Sequence, residues 1–110
     1  MRRFLVSEMS MAPALMPGDW ILAGRLRHPS RGDIAVFQHP HREDFWLVKR
    51  IVAISGDTVT VDGLERRIPP GHVWLLSDAT HRTRADSRTF GALPIEGMYV
   101  AWVRYRKAPA

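Results

Sequence analysis

Two residues of this 110-residue chain could do chemistry together: Ser10, in Ser10-Met11-Ala12-Pro13-Ala14-Leu15, and Lys49, in the apolar run Trp46-Leu47-Val48-Lys49-Arg50-Ile51-Val52-Ala53-Ile54. A serine hydroxyl is a weak nucleophile until a base takes its proton. A buried lysine can be that base, because loss of water disfavours the ammonium and lowers the pKa. The chain has two lysines and fourteen arginines. Where only charge is needed its habit is arginine, which cannot deprotonate, so a lysine at position 49 points to proton transfer. Each residue also fits a plainer use. Ser10 suits a turn or helix-capping serine ahead of Pro13. Lys49 suits a strand lysine that lays its stem over apolar surface and keeps its ammonium in water.

The surroundings of the pair form four segments in a fixed order. Ser10-Met11-Ala12-Pro13-Ala14-Leu15 is followed by Pro17-Gly18-Asp19. Arg31-Gly32-Asp33-Ile34-Ala35-Val36-Phe37 comes second, and Val48-Lys49-Arg50-Ile51-Val52-Ala53-Ile54-Ser55-Gly56-Asp57 third. The fourth runs from Pro70-Gly71-His72-Val73-Trp74-Leu75-Leu76-Ser77-Asp78 to Asp86-Ser87-Arg88-Thr89-Phe90-Gly91. Together they resemble the type I signal peptidase family, the Ser/Lys serine endopeptidases, over residues 7–97. The resemblance implies a nucleophile at Ser10, a general base at Lys49 and a precursor protein or signal peptide as substrate. It implies that Met11, Leu15 and Val48 line shallow pockets selecting small side chains, alanine above all. Asp86, Ser87 and Arg88 are expected to hold the Lys49 strand and loop, with Asp86 and Arg88 as an ion pair. The Ser10 backbone N–H is the expected oxyanion donor.

The chain departs from the family in several places. Glu8 stands where a small residue is usual, two positions before the nucleophile, so a side-chain oxyanion donor is missing there. The usual Leu-Gly-Asp-Asn reads Leu76-Ser77-Asp78-Ala79, and the stretch from Asp78 to Asp86 is one residue longer than usual. Thr83 is the hydroxyl expected to support the lysine; a register one residue different places Arg84 there. Family members usually carry a membrane-spanning helix before the nucleophile, whereas nine residues precede Ser10 here. The sequence as given therefore reads as a soluble chain, cytoplasmic or peripheral, while the resemblance implies membrane association. Besides leader-peptide removal, two other roles stay open: maturation of a soluble precursor, as in the proteases of nickel-type superoxide dismutase, and a catalytically degenerate binding module.

Composition suits one small domain over residues 1–110, with 45% hydrophobic and 25% charged residues. No stretch approaches the ~20 apolar residues needed to cross a bilayer, and residues 1–6 begin like a signal peptide but are too short for one. Without cysteine, thiol chemistry and disulfides are excluded. His39-Pro40-His41 completes no metal-ligand spacing, and no metal or other cofactor is expected. The net charge of +5 is dispersed, without a nucleic-acid-binding signature, so no nucleic-acid partner is expected. Trp102, Arg104, Arg106 and Lys107 suit a reversible contact with an anionic membrane. Arg31-Gly32-Asp33 reads as a turn entering a strand, not as an adhesive tripeptide.

The elements that must position the pair read as all-β. Short apolar or alternating runs at 20–23, 34–38, 45–54, 58–62, 73–76 and 98–105 are separated by turn-rich segments. No long amphipathic helix is present. One compact domain of coiled, mostly antiparallel β-structure is predicted.

Overall fold

The computed structural model describes residues 1–106. Lys107 lies outside the described residues. The elements are β1 (Arg2–Leu5), β2 (Asp19–Arg25), β3 (Ile34–Gln38), β4 (Trp46–Ile54), β5 (Thr58–Val61), β6 (Leu64–Arg67), β7 (His72–Leu76), α1 (Ser87–Phe90), β8 (Leu93–Pro94) and β9 (Tyr99–Arg106). Seven strands form one sheet in the order β1-β2-β9-β3-β4-β7-β8, and β5 pairs with β6 in a second, two-stranded sheet. Every strand pair is antiparallel. The fold is all-β in one compact domain, as the turn-separated apolar runs predict.

Four short elements carry no run of their own in the sequence reading. β1 falls in the stretch read as signal-peptide-like; it pairs along its length with β2, Leu5 opposite Trp20. β6 is Leu64-Glu65-Arg66-Arg67, exposed at every position. Its strand character comes from pairing with β5, not from an apolar stripe. β8 and α1 are two and four residues long, below the length at which a periodic pattern can be read.

β4 is the organising strand. Its first half pairs with β3, from Trp46 opposite Gln38 to Arg50 opposite Ile34. Its second half pairs with β7, from Arg50 opposite Leu76 to Ile54 opposite Val73. Side chains alternate across a strand, and here Leu47, Lys49, Ile51 and Ala53 are the buried set. Lys49 thus falls inward by parity alone. β3 is buried on both faces, with Ala35 and Phe37 in one core and Val36 in another. A bulge between Ile51 and Ala53 in β4 leaves Val52 39% exposed.

At one end of the large sheet β1, β2 and β9 present a largely apolar face. Register places Leu5, Trp20 and Tyr105 in one row and Arg3, Leu22 and Val103 in the next. Trp102, beside a bulge, lies over Gly24, where an added Cβ would stand 1.8 Å from the indole; the ring rests where glycine leaves room. No helix among the described residues is long and apolar enough to cross a membrane.

Candidate active site

Ser10 sits on the connection between β1 and β2. The ends of that connection are tied together: the Val6 N–H donates to the Asp19 carbonyl at 2.9 Å, and the Gly18 N–H to the Val6 carbonyl at 2.8 Å. Gly18 makes the closing turn at φ +93°, open to glycine because it lacks a Cβ. Within the loop the Leu15 N–H donates to the Met11 carbonyl at 2.9 Å. The Met11 and Leu15 side chains pack with Val6, Ile21, Ala23 and Val36. The loop is therefore held by its own side chains, in the manner of an Ω-loop. It places Ser10, 8% exposed, on the wall of a cavity of about 260 Å³ lined by residues 4–8, 10, 11, 36 and 44–48. Among the described residues neither the Ser10 hydroxyl nor its N–H has a hydrogen-bond partner, while its carbonyl accepts from the Ala79 N–H at 2.9 Å.

Lys49 is 1% exposed. Its Nζ donates to Ser77 Oγ at 3.0 Å and makes no salt bridge among the described residues. Burial pushes its pKa below the usual lysine range; Asp86 and Glu8 pull upward and Arg88 adds a smaller downward push. The net direction favours the neutral amine.

The hydroxyl on the lysine is Ser77, not Thr83. Thr83 Oγ1 accepts from the Ala85 N–H at 3.0 Å, and the Thr83 carbonyl accepts from Arg88. The reason is strand register. Arg50 pairs with Leu76, so the next position along brings Ser77 beside Lys49, whereas Thr83 lies in the loop beyond. Ser77 Oγ donates to Asp86 Oδ2 at 3.1 Å, and the Ser77 N–H donates to the same oxygen at 3.1 Å. With its proton directed to Asp86, the Ser77 oxygen is left to accept from Lys49.

Asp86 is fully buried. Burial pushes its pKa up, but the Arg88 guanidinium and the Ser77 and Arg88 N–H groups outweigh that and hold the carboxyl below its ordinary range. Arg88 Nη2 stands 2.8 Å from Asp86 Oδ2, the expected ion pair. Ser87 Oγ accepts from the Leu75 N–H at 2.8 Å, fastening this corner to β7. One segment connects both halves of the site: Ser77 accepts from Lys49, the Asp78 N–H contacts Met11 Sδ at 3.4 Å, and the Ala79 N–H holds the Ser10 carbonyl. The Asp78 carboxylate receives Arg50 at 2.8 and 2.9 Å, so the neighbour of the lysine is anchored too. No Ser10 Oγ to Lys49 Nζ hydrogen bond is present among the described residues.

Of the expected pocket residues, Met11 and Val48 line the cavity. Leu15 does not; it is buried in the core beneath the loop. Of Arg104 and Arg106, expected at a membrane surface, Arg106 Nε lies 2.6 Å from Asp19 Oδ1, while Arg104 Nη1 donates to the Ala14 carbonyl at 3.0 Å and stands 3.9 Å from Asp19 Oδ2. Trp102 keeps its exposure at 58%, beside Val103 and Tyr105. His39 sets its ring against Phe45 and Phe90.

Sequence comparison adds an independent line. The family profile of signal peptidase, peptidase S26, matches residues 1–65, a span holding both Ser10 and Lys49. The chain belongs to this family. It is 38% identical over 98 residues to the mitochondrial ATP-independent inner membrane protease subunit 1b of Arabidopsis thaliana, covering 77% of this chain and 57% of that protein. To mitochondrial inner membrane protease subunit 1 of Schizosaccharomyces pombe it is 33% identical over 102 residues, covering 80% and 64%. To signal peptidase I of Aquifex aeolicus it is 42% identical over 60 residues, covering 51% and 23%. The chain thus spans about three-fifths of the length of the two inner membrane protease subunits.

Proposed function

We propose that this chain is a serine endopeptidase that removes N-terminal signal or leader peptides from precursor proteins, with Ser10 as nucleophile and Lys49 as general base. The observation that carries the reading is Lys49: a lysine buried to 1% exposure, held by a hydroxyl and facing no carboxylate directly. Such an amine is disposed to be neutral, and Ser77 occupies one of its N–H groups while leaving the nitrogen lone pair available.

In the forward step Lys49 Nζ takes the Ser10 hydroxyl proton as Oγ bonds to the substrate carbonyl carbon. Charge develops on the carbonyl oxygen, and the unpartnered Ser10 N–H is the donor at hand. The carbon–nitrogen bond then breaks, and the leaving amine takes the proton from Lys49. Water, deprotonated by Lys49, attacks the ester; the bond to Ser10 Oγ breaks and that oxygen takes the proton back from Lys49, which restores both residues. Asp86, Arg88 and Ser87 act as positioning residues, since each reaches the lysine only through Ser77 or β7. A peripheral membrane contact would rest on Trp102, Val103 and Tyr105, with Arg104 and Arg106 partly engaged by Asp19.

The test is cleavage of peptides with alanine before the cut. Ser10→Ala and Lys49→Ala are each expected to lower kcat/KM by about 10³-fold or more, with the double variant no worse than either single one, because the residues act as a unit. Circular dichroism checks that the variants are folded. Undiminished turnover in either folded variant would refute the assignment.

A further inference from the structure

The charges around the Ser10 cavity run against those of the whole chain. The protein carries a net +5, yet the charged residues lining this cavity are Glu8 and Asp44. Neither takes part in an ion pair among the described residues; those pairs use Asp19, Asp57, Asp78 and Asp86. The neighbouring arginines lie over aromatic rings. Arg2 lies over Trp46 at 4.7 Å and over Phe4 at 5.1 Å, Arg42 lies over Phe45 at 4.1 Å, and neither lines the cavity. Ser10, more than nine-tenths buried and with its hydroxyl unpartnered, opens on the same space. A peptide bond presented to Ser10 therefore brings its flanking side chains towards two carboxylates that no ion pair occupies.

We propose that this cleft selects precursors carrying a basic side chain close to the scissile bond, with Glu8 and Asp44 as the residues that recognise it. The inference rests on the peptidase reading and names its substrate class. Both residues are exposed at the rim of the cavity, where a carboxylate can meet a substrate cation. Asp44 holds φ +54°, a conformation that glycine or asparagine would fill as well, so aspartate adds only its charge. Glu8 favours the protonated lysine and so opposes the burial that makes Lys49 a base. A substrate cation beside Glu8 offsets that penalty, so the preferred substrate also assists its own cleavage.

The test uses the full chain and peptides that differ at one position, Lys, Gln or Glu, scanned over the residues on both sides of the bond. At low ionic strength kcat/KM is expected to rank Lys above Gln above Glu at one or more positions, with about a fivefold advantage of Lys over Glu, the scale of a partly exposed ion pair. The preference should shrink in about 0.5 M salt, fall in Glu8→Gln and in Asp44→Asn, and vanish in the double variant. Equal rates for the three peptides at every position, or a preference unchanged in the double variant, would overturn the proposal. The same peptides are titrated against the Ser10→Ala variant by fluorescence anisotropy. If the wild-type chain cuts none of them, the peptidase reading fails. The binding ratio then decides the cleft by itself: tighter binding of the Lys peptide supports the selection, and equal affinities overturn it.

Discussion

Asp19 and Asp86 are both fully buried, and both are held by arginine, but only one has a lysine behind it. At Asp19 the partners are Arg106 at 2.6 and 3.2 Å and the Met16 N–H at 2.9 Å. The Arg106 contact, with the Met16 N–H, brings its pKa down to about 2. Every charge there is answered by direct contact, and the result fastens the start of β2 to the end of β9. At Asp86 the arginine is again in contact, yet the hydroxyl of Ser77 stands between the carboxylate and Lys49. A carboxylate touching the lysine would hold it as an ammonium. Placing a hydroxyl between them leaves burial as the dominant influence on the amine, and the pKa falls. One fold thus stabilises ions at one end and disfavours a cation at the other. What separates the two cases is a single intervening side chain.

The largest expected effect comes from making the second site resemble the first. Lys49→Arg keeps a positive charge but cannot deprotonate, so cleavage should fall to the level of Lys49→Ala at every pH. The wild-type rate should climb with pH through a midpoint below the ordinary lysine value of 10.5, as the amine sheds its proton. The linkage has the same sign. The folded state binds the lysine proton less readily than the unfolded state, so this group's contribution to stability grows with rising pH until the unfolded lysine also titrates. A pH–rate profile beside thermal melts measures both.

Removing the hydroxyl is the intermediate case. Ser77→Ala deletes the acceptor of the Lys49 N–H and one donor to Asp86, and should lower kcat by about 10- to 100-fold, in the range of a lost catalytic hydrogen bond. Its pH–rate midpoint should shift relative to wild type. Thr83→Ala should leave that midpoint in place, because the Thr83 hydroxyl bonds to the Ala85 N–H. Equal behaviour of the two variants would contradict the assignment of Ser77 as the positioning hydroxyl.

The smallest expected effect on activity lies at the structural cluster. Asp19 has its pKa lowered from 3.8 to about 2. Its contribution to stability is fully present above about 4 and is lost as pH falls through about 2. Asp19→Asn should lower the thermal midpoint at neutral pH and flatten its decline between pH about 4 and about 2. The cleavage rate per folded molecule should be largely retained.

Much of this architecture is written in local pattern. The alternation in β4 sends Lys49 inward with Leu47, Ile51 and Ala53, and glycine with polar turn residues marks the strand ends, because period and turn chemistry are properties of adjacent residues. Met11 and Val48 line the cavity and Asp86 meets Arg88, all residues that the family resemblance singles out. The identity of the hydroxyl on Lys49 is of another kind. Ser77 is 28 residues away in the chain, and choosing it over Thr83 requires the register of β4 against β7, which no local run specifies. Assuming the antiparallel pair of Arg50 with Leu76 would have found it. Leu15 went the other way: its type suits a pocket wall, but the closed β1–β2 connection turns it into the core. β6 became a strand through its partner rather than its own residues. The acidic lining of the cleft is likewise tertiary, since Glu8 and Asp44 lie 36 positions apart in the chain. Sequence determined which residues are apolar, turning, basic or nucleophilic, because those are covalent properties. Only the packing of distant strands decided which of them meet, since hydrogen bonding and desolvation depend on neighbours in space.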